Sequence, residues 1–165
     1  MPIRVFFIGR LRSHGNHDQT KDGAGQIDQG LHGVGQQADR IGEPPGQARI
    51  AAIAWTNASN TLVIDVPKDL EQSQPSFVVV KPNSADAKAA HVVINVGTHA
   101  RTTIVLDHAG LGVLGENVEI VLGDESELNF VTIQDWDKGS THVSTQFAKL
   151  GRNSNLRHIV VSLGG

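Results

Sequence analysis

A chain of 165 residues, 39% hydrophobic and 19% charged, has enough apolar material for one domain with a core but not for two. A net charge of -3 supplies no broad basic field for nucleic acid or anionic lipid, and the longest apolar runs are far too short to cross a bilayer. With no cysteine, disulfides, thiolate nucleophiles and cysteine metal sites are all excluded.

The start, MPIRVFFIGRLR, carries a continuous apolar run only from Val5 to Ile8, too short for a signal-peptide core, so a soluble cytoplasmic protein is expected. Residues 1–46 hold nine of the 18 glycines, in tracts such as DGAGQIDQGLHGVGQQ that have neither helical nor strand period. Such a tract buries too little surface to offset its ordering entropy and reads as a disordered or poorly packed extension, or as the product of a misplaced start or broken frame. From Gln47 to Ala58, QARIAAIAWTNA predicts one short helix with Ile50, Ile53, Ala54 and Asn57 on one face, started by Pro44 and Pro45. TLVIDVP and SFVVV then read as strands, closed by Pro67 and Pro82.

Beyond Ala90 the chain repeats. Gly97, Gly123 and Gly151 stand 26 and 28 residues apart, each after an apolar run and each before a polar turn and another strand-like run. Val96, Leu122 and Leu150 precede them, with Ile94, Ile120 and Ala148 two positions earlier, which is the alternation of a strand with one buried face. Eight positions after each glycine stand the β-branched residues Val105, Val131 and Ile159. A recurrence of this length without a helical crossover predicts an all-β parallel β-helix of a few coils over residues 47–165, with apolar ladders inside and glycines in positive-φ turns. The competing architecture is an antiparallel sandwich or barrel.

Asp107, Asp124, Asp135 and Asp137, near strand ends, raise the alternative of a β-helix carbohydrate-active enzyme using a carboxylate pair. They lie ten, one, twelve and fourteen residues after their glycines and share no repeat offset, so solvated turn residues are the better reading. His14 and His17 have ligand-like spacing in a tract with nothing to hold them, His108 follows Asp107 in the loop DHAGLG, and His158 in LRHIVV reads as a satisfied histidine in or beside the core. The glycines of HAGLGVLG lead from strand to strand, with no helix N-terminus to receive a pyrophosphate. No catalytic, cofactor-binding or metal-ligating residue is assigned from these patterns.

The blocks VVINVGTHARTTIVLDHAGLG, ENVEIVLGDESELNFVTIQDWD and HVSTQFAKLGRNSNLRHIVVSLGG, in that order, resemble the core of the SufB/SufD family of iron-sulfur cluster assembly proteins, most closely the SufD type; the likeness extends over about residues 47–165. The resemblance implies a right-handed parallel β-helix and a scaffold subunit without turnover of its own. Its expected partners are SufB, through the β-helix cores, and the ATPase SufC, in a SufBCD complex that builds a nascent cluster; no cofactor is expected on this chain itself. Gln134 and Trp136 correspond to a Gln-x-Trp of SufB whose positions are assigned to a path for sulfur, but here no cysteine begins or ends such a path, so packing and corner formation are the expected role. The family's SufC-docking segment and its late cluster-assembly histidine find no counterpart before the final SLGG, so the chain is expected to be a fragment of the core that does not recruit SufC.

Overall fold

The computed structural model describes residues 3–9, 53–54, 56–82 and 86–164. Among the described residues, nine strands form two sheets: β1 (Arg4–Gly9), β2 (Asn60–Val66), β4 (Ala87–Val96), β6 (Val113–Leu122) and β8 (Thr141–Leu150) in one, and β3 (Ser76–Val80), β5 (Arg101–Gly110), β7 (Glu127–Trp136) and β9 (Asn155–Gly164) in the other. Apart from β1, every pairing is parallel and skips one strand in sequence, so the chain alternates between the two sheets and climbs one level with each circuit. The result is a β-solenoid of about four turns. The register advances 30, 26 and 28 residues per coil along the first sheet, so the 26- and 28-residue spacing of the glycines is the coil length itself.

Alternation along each strand decides what fills the space between the sheets. Ile64, Ile94 and Ile120 stack in register on one sheet and Ile104 and Phe130 on the other, and with Val66, Val96, Leu122, Leu106 and Leu128 they form one continuous core. Val105, Val131 and Ile159 are also in register, but they belong to the opposite parity and lie outside this core. The inner ladder of the second sheet is one residue earlier, where Phe130 interrupts the β-branched pattern.

The three repeat glycines are required for a reason other than the expected positive φ. None of them has one; the left-handed residues are His99, Glu125 and Asn153, two positions further on, with Asp69 at the same place in the first coil. At Gly97, Gly123 and Gly151 a Cβ would stand 2.4, 2.6 and 2.7 Å from the backbone nitrogens of Lys68, Thr98 and Asp124 in the coil beneath. The turns of successive coils nest directly on one another, and each glycine N–H donates to the carbonyl below, Val66, Val96 or Leu122, at 2.8 Å. A side chain at this position would push the coils apart.

Within the stretch read as an extension, Arg4–Gly9 forms β1, antiparallel to β2 on the outer edge of the first sheet. The short apolar run Val5–Ile8 lies inside this strand, and the partner that stabilises it is more than fifty residues away. The rest of the extension, and the expected helix from Gln47 up to Ala52, lie outside the described residues. Ile53, Ala54, Thr56 and Asn57 are helical; Ala54 is buried, whereas Ile53 and Asn57 are exposed.

Candidate functional site

Each coil has two ends. At one, a four-residue turn opens with the repeat glycine; at the other, the second sheet passes back to the first, through Leu111 and Gly112 after β5 and through Asp137–Ser140 after β7. Polar side chains gather inside this second end. His108 is a strand residue near the end of β5, not a loop residue, and it shares the inward parity of Ile104 and Leu106. Glu116 on β6 shares the inward parity of Val118, Ile120 and Leu122, and His142 lies one coil above, in register with Leu114. His108 and Glu116 are fully buried, and the His142 side chain is 7% exposed.

The two imidazoles converge on one carboxylate. His108 Nε2 is 3.0 and 3.2 Å from the Glu116 oxygens, and His142 Nε2 is 3.4 Å from Oε2. The Ser144 hydroxyl donates to Oε2 at 3.1 Å. Burial by itself would raise the Glu116 pKa, but the contacts and charge of His108 and His142 outweigh it and lower the value to about 2. The carboxylate is ionised at neutral pH.

Gln134 and Trp136 close the site from β7. Trp136 Nε1–H donates to Gln134 Oε1 at 2.9 Å, and the same oxygen lies 2.6 Å from His142 Nδ1. The indole lies against both rings, with centroids 5.7 Å from His108 and 5.1 Å from His142. Packing and corner formation describe Trp136, which is buried at the end of its coil. Gln134 does more, because it orients a histidine.

The four aspartates of the enzyme alternative do not assemble around this cluster. Asp107 and Asp135 occupy outward positions on β5 and β7, Asp137 opens the corner after β7, and Asp124 sits in the turn at the other end of the coil, accepting the Arg152 N–H at 2.9 Å. His158 lies in register above Phe130 and stacks on it at 5.0 Å, beside the core but exposed on the last coil. Glu116 and His142 were not singled out in the sequence. The signal available was parity, since Glu116 is in phase with Leu114, Val118, Ile120 and Leu122, where a solvated carboxylate has no place.

Stacked parallel coils with a polar cluster enclosed at one end define a β-solenoid. The family model for the SUF system FeS cluster assembly, SufBD core domain, matches residues 77–165, and the chain belongs to that family. It is 31% identical over 140 residues to an iron-sulfur cluster assembly SufBD family protein of Mycobacterium tuberculosis, covering 81% of this chain and 35% of the relative. A SufBD family protein of Mycobacterium leprae is 33% identical over 118 residues, covering 71% of this chain and 30% of the relative. The chain thus spans about a third of the length of the curated relatives it matches. No solved structure matches it. Among the described residues no helix is long and apolar enough to cross a membrane.

Proposed function

We propose that the chain is a SufD-like scaffold subunit of iron-sulfur cluster assembly in the cytoplasm, without turnover of its own, which pairs with a SufB-type solenoid and acts with the ATPase SufC in a SufBCD complex. The nascent cluster is the cargo of that complex. The observation that carries the pairing is the match of residues 77–165 to the SufBD core domain, on a chain folded as stacked parallel coils. Membership of the SufBD family supports a related solenoid as the partner.

The test is to mix the chain with the SufB protein of the same organism and measure the mass by size exclusion with light scattering. A 1:1 complex is expected. A mixture that yields only the separate proteins, or only self-association of this chain, overturns the pairing.

A further inference from the structure

We propose that His108, Glu116 and His142 form a buried site for a single divalent first-row transition-metal ion. Their ligand atoms all lie within 4.8 Å of one another, with His108 and Glu116 in one coil and His142 on β8 in the next.

The hydrogen-bond partners decide where the ring protons are. An indole N–H only donates, so the Gln134 atom facing Trp136 at 2.9 Å is the amide oxygen. That oxygen accepts, so His142 carries its proton on Nδ1, 2.6 Å away. The Ile133 carbonyl, 3.3 Å from His108 Nδ1, also only accepts, so His108 is protonated on Nδ1 as well. On both rings Nε2 is therefore the nitrogen that faces Glu116, and it is the nitrogen that coordinates a cation when it carries no proton.

Two further observations point to a cation as the missing partner. His142 Nε2 is buried and makes no hydrogen bond. Every ligand is also oriented from behind: His142 by Gln134, His108 by the Ile133 carbonyl and Glu116 by Ser144. Fixing the far nitrogen of an imidazole through a hydrogen bond sets the tautomer that a metal needs. Two imidazoles and one carboxylate are borderline donors suited to Zn²⁺, Fe²⁺ or Co²⁺, not to Mg²⁺ or Ca²⁺, which prefer all-oxygen sites. The ligands come from β5, β6 and β8, so an ion here would tie two successive coils together across both sheets.

The experiment uses the whole chain. Purified protein, stripped with chelator, is titrated with Zn²⁺ by calorimetry and with Co²⁺ by visible absorption. One equivalent of tight binding is expected, with a Co²⁺ spectrum of nitrogen coordination. Glu116→Gln and His142→Gln should each weaken it by at least tenfold, whereas His99→Gln, on an exposed turn, should leave it unchanged. Histidine ¹⁵N NMR of the wild type supplies a readout that does not depend on the variants folding: Zn²⁺ should shift Nε2 of two histidines while their Nδ1 stays protonated. Absence of stoichiometric binding by the folded wild type, binding that survives both ligand substitutions, or shifts confined to other histidines would overturn the site and leave a cluster neutralised by protons alone.

Discussion

At the turn end of each coil the gap between the sheets is filled by Ile94, Val96, Ile120 and Leu122 facing Ile104, Leu128 and Phe130, whereas at the corner end the same gap holds His108, Glu116, Gln134 and His142. The β4–β6 and β5–β7 ladders run without a break through both halves, whereas the β7–β9 ladder shifts register between Gln134 and Asp135, beside the polar cluster. An apolar ladder needs only volume and parity to be stable, and it tolerates rearrangement among similar side chains. The polar half holds an ionised carboxylate out of water, which costs free energy unless every group is paired or a cation is present. The apolar half therefore carries the stability of the solenoid, and the polar half is where specific chemistry is retained.

The largest effect should come from the apolar half. Phe130→Ala removes a fully buried ring from the centre of the core and is expected to cost about 3 to 5 kcal/mol in chemical denaturation. A loss of about 1 kcal/mol or less would mean that the apolar half is not the source of stability. In the polar half, Gln134→Ala deprives Trp136 Nε1 and His142 Nδ1 of their common acceptor, and about 1 to 3 kcal/mol should be lost. If it proves as damaging as Phe130→Ala, the division between the halves fails.

The smallest effect concerns His158, the imidazole that stands over Phe130 on the last coil. Partial burial disfavours its charged form and lowers its pKa below the ordinary 6.5. The folded state then binds fewer protons than the unfolded state in the window just below that value, so stability is fully present above about pH 6.5 and declines as the pH falls through it. A ¹H NMR titration should place His158 below 6.5, and His158→Asn should remove that small part of the pH dependence. A titration at or above 6.5 would show that the ring is solvated and not packed on the core.

Much of this architecture can be read from local patterns. The glycine spacing, the alternation in NVEIVLG and the strand-to-strand corner at HAGLGVLG suffice for a stacked parallel β-helix, because each coil repeats the same short-range constraints. The cause of the glycines was less legible. Positive φ is a local property, but at Gly97, Gly123 and Gly151 the constraint is the backbone of the coil beneath, which no local window contains. Val131 misled in a similar way: a β-branched ladder looks like core, but only the register with Ile104 and Phe130 shows which parity faces inward.

What the sequence determined by itself is therefore the repeat, the strands and the family, since periodicity and matched strings survive without coordinates. The tertiary structure alone decided the site. His108, Glu116 and His142 are separated by 8 and 26 residues and carry no motif spacing; they meet because β5 and β6 face each other within a coil while β8 stacks on β6 one coil higher. Proximity across sheets depends on coil length and corner geometry together. Parity along a strand reveals only that a side chain points inward, not what it will meet there.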